Sequence, residues 1–174
     1  FFDVGANVGI YSLYAAFRNP KTKVYAFEPE YSNLHQLKQN ILLNSLAETI
    51  FPYSLALYDA TGISQLHVQD TTPGAALHSV STQDCGKTQM GKEVVWKEGV
   101  TTMTMDDFCR LSRIIPNLLK IDVDGNELKI LHGAREIFMN KDLRSIIIEM
   151  IESLPDYHGI KNFLMEQGFK LENE

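Results

Sequence analysis

The chain has 174 residues, of which 44% are hydrophobic and 22% charged, enough for one ordinary core and so for a single domain. A net charge of −6 argues against a nucleic-acid partner held by phosphate neutralisation. No apolar run approaches the ~20 residues of a membrane helix, no stretch reads as a signal peptide, and Cys85 and Cys109 have no metal spacing; a reduced, cytoplasmic protein is the expectation.

The opening run Phe1-Phe2-Asp3-Val4-Gly5-Ala6-Asn7-Val8-Gly9-Ile10-Tyr11 reads as a buried parallel strand over residues 1–4, a glycine-bearing turn, and a helix opening at Gly9. Gly5 lets the backbone turn sharply and approach a ligand. The helix N-terminus offers free N–H groups and partial positive charge above the turn, and Asp3 places an acid beside the same spot. Such strand ends are where a parallel sheet binds ligands. The dinucleotide fingerprint G-x-G-x-x-G is not met, because Asn7 stands in the second glycine's place and Ile10 in the third's. A side chain there crowds a pyrophosphate. A nucleoside carrying an amino-acid tail fits better, with its ammonium on the acid and its carboxylate at the helix. S-adenosyl-L-methionine has both groups.

The first helix carries Ile10, Leu13, Tyr14 and Phe17 as a helical stripe and ends near Asn19-Pro20. Residues 23–27 form a second strand, closed by Glu28-Pro29, with Pro29 suited to a helix's first position. Leu34, Leu37 and Ile41 mark a second helix to about Asn44, and residues 48–53 a third, weaker strand. The order β-α-β-α-β predicts a parallel sheet with right-handed crossovers. Glu28 then tops the strand beside the first, where an acid takes both hydroxyls of a ribose; its local alternative is a favourable charge near a helix N-terminus.

Residues 54–104 break the alternation. Asp59-Ala60-Thr61-Gly62 is a turn, and residues 64–68, 94–96 and 100–104 read as strands. Residues 69–91 are rich in Gly, Thr, Ser and Gln, with a Pro73-Gly74 turn. A loop this long inside a compact domain is usually functional or disordered. The whole reads as a β-rich insertion or cover near the ligand, about residues 60–104. Asp106-Asp107 opens a short helix as caps.

Alternation resumes with a fourth core strand at residues 118–123, followed by a helix bearing Leu128, Ile130, Leu131, Ala134 and Ile137. Ile146-Ile147-Ile148 reads as a fully buried strand topped by Glu149, and Ile160, Phe163 and Leu164 belong to a last helix ending at Gly168. Phe169-Lys170-Leu171 starts another strand. Beginning inside one strand and stopping in another, the chain is expected to be a piece cut at both ends from a longer protein.

The run Asp122-Val123-Asp124-Gly125-Asn126-Glu127 puts three carboxylates at the end of the fourth strand, expected beside the first. Asp124 with Glu127 three later resembles a capping box. No local backbone need explains Asp122, which makes it the candidate base or substrate orienter; Glu127 joins it in the catalytic set, and Glu149 is a further candidate for substrate contact. The rival use of Asp122, Asp124 and Glu149 is a magnesium or calcium site, but no full ligand loop exists and the five histidines are scattered; no metal is assigned. Neither cysteine has a base at motif spacing, against thiol catalysis.

These segments together resemble the FkbM family of S-adenosylmethionine-dependent methyltransferases. The resemblance lies in residues 2–9, in Ala26-Phe27-Glu28-Pro29, in residues 119–127, and in Leu131-His132-Gly133-Ala134; Met105-Asp106-Asp107-Phe108 and Ile146-Ile147-Ile148-Glu149 match more loosely. Asp124 departs from the family's usual Glu. The resemblance implies an α/β, Rossmann-like class I methyltransferase fold with a mostly parallel sheet flanked by helices. It implies methyl transfer to a hydroxyl oxygen of a sugar, glycan or natural product. By position, Asp3, Gly5, Asn7 and Gly9 would hold the methionine part, Glu28 with Pro29 the ribose, and Ser54, Leu55 and Ala56 would lie along the adenine. The alternatives on the same sheet are a nicotinamide-dependent oxidoreductase and a non-catalytic nucleoside-binding module.

Overall fold

The computed structural model describes residues 1–81, 86–88 and 90–170. β1 (Phe2–Val4), α1 (Ile10–Arg18), β2 (Val24–Phe27), α2 (Tyr31–Leu43) and β3 (Ile50–Tyr53) alternate as the sequence predicts. β4 (Ala56–Leu57), β5 (Gly62–Val68), β6 (Ser79–Ser81) and β7 (Trp96–Met103) follow without an intervening helix. The chain then continues through α3 (Met105–Ser112), β8 (Leu118–Ile121), α4 (Glu127–His132), α5 (Arg135–Phe138), β9 (Ser145–Ile148) and α6 (Tyr157–Glu166).

The alternating segments build a five-stranded sheet in the order β3-β2-β1-β8-β9, parallel at every pairing. Asp3 is in register with Ala26 on one side and Lys120 on the other. The strand order reverses between β1 and β8, the switch point where open α/β sheets bind ligands. The insertion folds as a second, mixed sheet in the order β4-β7-β5-β6, with β4 parallel to β7 and the other pairs antiparallel.

Each face of the parallel sheet has its own core. On one, Phe2, Val4, Phe27, Leu119 and Ile121 pack with α3 and α4. Phe108 of α3 sits edge-on to Phe27, Tyr53 and Phe2, with centroids 4.8, 5.0 and 5.5 Å away. Pairs of this geometry contribute about 0.5–1.5 kcal/mol each beyond area burial, and they hold the ends of three strands level. On the other face, Val24 and Ala26 meet Leu34, Leu37 and Ile41 of α2 and Ala16 of α1.

Several local readings are corrected. Of the α1 stripe only Leu13 packs on the core: Ile10, Tyr14 and Phe17 are 70%, 63% and 59% exposed, and the fully buried residues of the helix are Ser12 and Ala16. Small side chains let this helix lie close to the strands, and Ser12 is needed there by Asp3. β9 is an edge strand, with Ile147 exposed and Ile146 and Ile148 half-buried. One strand, β7 over Trp96–Met103, stands where two were expected at residues 94–96 and 100–104. Thr104, not the Asp106-Asp107 pair, caps α3 by accepting the Asp107 N–H at 3.0 Å. Glu30 caps α2 through the Asn33 N–H at 2.7 Å, so Pro29 lies ahead of the helix. The helix expected after β8 is two short ones, α4 and α5. Phe169 and Lys170 lie in no strand; Leu171 and Cys85 fall outside the described residues.

Candidate active site

Gly5 ends β1 with φ at +73°, and a Cβ on it would fall 1.8 Å from the Asp122 carbonyl oxygen. The glycine is thus required by the neighbouring backbone at the end of β8, a closer constraint than any ligand. Gly9, with φ at +93°, caps α1 against Leu37, whose Cδ1 would lie 2.3 Å from an added Cβ.

Within the turn between them the N–H groups are taken by the protein itself. The Asn7 N–H donates to Glu28 Oε2 at 2.8 Å, the Val8 N–H to Asn7 Oδ1 at 2.7 Å, and the Gly9 N–H to the Ala6 carbonyl at 2.8 Å. Asn7 adopts a left-handed conformation, φ 51°, which its short polar side chain tolerates. Its amide nitrogen donates to the Ala75 carbonyl at 3.0 Å. The residue standing in the second glycine's place is therefore a bracket between the turn and the insertion.

Glu28 is 5% exposed. Its Oε1 accepts the Glu30 N–H at 2.9 Å and its Oε2 the Asn7 N–H at 2.8 Å. A carboxylate has about four acceptor sites, so both oxygens keep capacity for a hydroxyl. Burial pushes the Glu28 carboxyl up to about 7, against the lowering effect of those two N–H groups.

Asp3 is fully buried. Its Oδ2 accepts the Ser12 hydroxyl at 2.6 Å, and its Oδ1 lies 3.4 Å from Lys120 Nζ. Lys120, itself 4% exposed, donates to the Gly5 carbonyl at 2.8 Å and stands 3.3 Å from Asp122 Oδ2. The Tyr11 ring lies over the same ammonium, 5.2 Å from it. Lys120 thus stands beside Asp3, where the sequence places a ligand's ammonium, while Asp3 Oδ1 accepts no hydrogen bond among the described residues. Lys120 escaped the sequence reading; a lone charge inside the apolar run Leu118-Leu119-Lys120-Ile121 was its signal.

At the end of β8 the acids divide by environment. Asp122 has a partly exposed side chain, 39% accessible, and lines the cleft. Glu149 follows β9 and shares a hydrogen bond with Asp122; desolvation, that bond and the charges of Asp122, Asp124 and Glu127 push its carboxyl up to about 7. Asp124 is not a cap. It is left-handed, φ 57°, and its Oδ2 accepts the Leu77 N–H at 2.6 Å. Glu127 turns back on its own loop, accepting the Val123 N–H at 3.1 Å and the Gly125 N–H at 3.0 and 3.2 Å, and is 5% exposed.

Residues 72–78 cross the cleft as a strap between β5 and β6. The Ala75 carbonyl accepts the amides of both Asn7 and Asn33 at 3.0 Å, the Gly74 N–H donates to Asn33 Oδ1 at 2.7 Å, and Leu77 is held by Asp124. The cleft is lined by Gly5, Asn7, Glu28, Pro29, Leu55, Ala56 and Asp122 of the sequence-derived set, while Asp3, Gly9, Ser54 and Glu127 stand outside its lining. Its free volume is about 80 Å³, against roughly 300–1,000 Å³ for pockets that engulf a drug-sized ligand. The strap therefore has to yield before such a ligand seats.

The described lining residues include Glu28, Asp122 and Asp124 but no lysine or arginine. An acid-walled cleft suits a cationic nucleoside and repels a pyrophosphate, a second argument against a dinucleotide. Burial pushes the Cys109 thiol up to about 12, far from a working thiolate. Among the described residues no group of three or more His, Cys, Asp or Glu is arranged to hold a metal ion, and no helix is long and apolar enough to cross a membrane.

The parallel sheet, its glycine turn, the acid at the end of β2 and the acid-walled crevice define a Rossmann-like methyltransferase fold. The Methyltransferase FkbM domain model matches residues 3–171, and the chain belongs to that family, whose members use S-adenosylmethionine. The chain is 26% identical to methyltransferase sdnD of Sordaria araneosa over 97% of its length and 73% of the relative's. It is 29% identical to hexuronic acid methyltransferase AglP of Haloferax volcanii, covering 87% of this chain and 54% of that one. It is 26% identical to 31-O-demethyl-FK506 methyltransferase FkbM of Streptomyces tacrolimicus, covering 86% and 64%. Its fold matches the crystal structure of a methyltransferase FkbM from Methylobacillus flagellatus with a TM-score of 0.62 at 16% identity, over 94% of this chain and 36% of that one.

Proposed function

We propose that this domain methylates a hydroxyl oxygen of a small molecule or sugar, with Asp122 as the base that receives the hydroxyl proton. Bound S-adenosylmethionine supplies a methyl group on a cationic sulfur, a strong electrophile that needs chiefly an aligned oxygen. A hydroxyl is a poor nucleophile at neutral pH, and a carboxylate within hydrogen-bond reach contributes ~10²–10⁴-fold. The observation that carries this reading is the placement of Asp122: a partly exposed carboxylate at the switch point, held from behind by Lys120 at 3.3 Å.

Around it, the other residues take supporting parts. Glu28 accepts the ribose hydroxyls, with Pro29 beside it, and Leu55 and Ala56 lie along the adenine. Asp3 acts at one remove: it fixes Lys120 and, through Ser12, the first turns of α1. Gly5, Asn7 and Gly9 shape the turn under the methionyl end. Glu127 holds the loop that presents Asp122, a positioning part rather than a reacting one. The names of the relatives, a hexuronic acid methyltransferase and a 31-O-demethyl-FK506 methyltransferase, support an oxygen acceptor.

The test is a methyl-transfer assay against uronic acids, neutral sugars and polyketide alcohols, following S-adenosylhomocysteine release. Asp122→Asn is expected to lower turnover ~10²–10⁴-fold with donor affinity within a few-fold of the parent. Unchanged turnover removes Asp122 from the role.

A further inference from the structure

His78, at the foot of the strap, lines the cleft and has no part in the chemistry above. Its Nδ1 accepts the Gln69 N–H at 3.4 Å, so in the neutral ring the proton sits on Nε2. That Nε2 is buried and has no hydrogen-bond partner. Burial lowers the ring's pKa below the ordinary histidine value, against the opposing pull of Glu30, Asp124, Asp70 and the Ala75 backbone.

Buried polar atoms are almost always paired, and an apolar side chain would fill this place at lower cost. The strap is tied to Asn7 and Asn33 on the β1–β2 side and to Asp124 on the β8 side. A donor is thus held over the crevice at the point where the two halves of the sheet part. Its surroundings are acidic, so the acceptor it awaits is not an anion. A ribose oxygen or a base nitrogen meets both conditions.

We propose that His78 is a ligand-contacting residue, donating its Nε2–H to the nucleoside portion of the methyl donor when the strap seats over it. The proposal rests on the reading of this cleft as the donor site. It also gives the strap a reason to be anchored on both sides: the anchors fix the height of the ring.

The test is calorimetric titration of the whole domain with S-adenosylhomocysteine and with methylthioadenosine, which lacks the amino-acid tail. His78→Gln keeps a donor near the Nε2 position, whereas His78→Asn keeps an acceptor near Nδ1 and loses the reach of the donor. The expected result is roughly ten-fold weaker binding of both ligands by the Asn variant and near-parent binding by the Gln variant, with both variants folded by thermal unfolding. The reverse order makes the Gln69 bond the purpose of the ring and overturns the proposal. So does parent-like binding by both variants. A loss confined to S-adenosylhomocysteine moves the contact to the tail and overturns the nucleoside assignment. Failure of the parent itself to bind either ligand brings down the donor-site reading as well.

Discussion

Lys120 Nζ stands 3.4 Å from Asp3 Oδ1, with both side chains almost wholly buried. Neighbouring parallel strands bring them into register, and the Gly5 carbonyl and Asp122 complete the ammonium's surroundings. Breaking a buried pair from one side leaves an uncompensated charge and typically costs about 3–5 kcal/mol. Lys120→Met is therefore expected to lower unfolding free energy by that order in a urea titration. The double variant Asp3→Asn with Lys120→Met should regain much of the loss. Additive losses would mean that the two charges do not depend on each other.

Proton uptake at the reaction end should show in the rate. Glu149 is pushed up to about 7 by desolvation and by its contact with Asp122, so below that pH Glu149 holds a proton against Asp122. Turnover is expected to rise with pH through about 7 as that proton leaves. Glu149→Gln removes the titrating carboxyl beside Asp122 and should take the rise away from about 7. An unshifted profile would separate Glu149 from the reaction.

Glu28 makes a prediction of opposite practical sense for folding and for binding. Its folded value, about 7, lies above the ordinary 4.5 of a glutamate, so the native state holds a proton that the unfolded chain has released between those pH values. Its contribution to stability is thus present in acid and is lost as pH rises from about 4.5 to about 7, by a few kcal/mol at most. Donor affinity should run the other way, improving as Glu28 ionises and accepts the ribose hydroxyls fully. Unfolding and calorimetric titrations at about pH 5 and about pH 8, with Glu28→Gln as the reference, test both senses. Parallel behaviour of the parent and Glu28→Gln would remove Glu28 from both effects.

Much of this was legible in the chain. The five parallel strands are short, nearly continuous apolar runs, and the turn residues between β1 and α1 leave little choice of topology. The burial of α1 was not legible, because what lies against a sheet depends on how close the helix must come; Ser12 and Ala16 win that place over Tyr14 and Phe17 by size. Nor was the strap, whose anchors are largely main-chain atoms, the Gly74 and Leu77 N–H groups and the Ala75 carbonyl. Backbone groups leave no mark in a sequence. Asp124 misled because Asp and Glu at capping spacing are ordinary, and only the left-handed turn aims its carboxylate at Leu77.

The strap also predicts a change in exchange. Because the free volume beneath it is about 80 Å³, ligand entry needs local opening, and a seated ligand should then restrain the segment. The Gly74 and Leu77 amides are expected to exchange hydrogen more slowly with S-adenosylhomocysteine bound, and faster in Asn33→Ala, which loses two of the strap's hydrogen bonds. Equal exchange with and without ligand would show that the strap takes no part in closure.

The account stands most directly on whether the cleft accepts the donor's nucleoside and refuses a dinucleotide. Calorimetric titration of the folded domain with S-adenosylhomocysteine and, separately, with NADH decides it. Saturable binding at one site for the first, lost in Glu28→Ala, with no heat from the second, is the predicted result; a folded domain that ignores S-adenosylhomocysteine, or that binds NADH in its place, contradicts it.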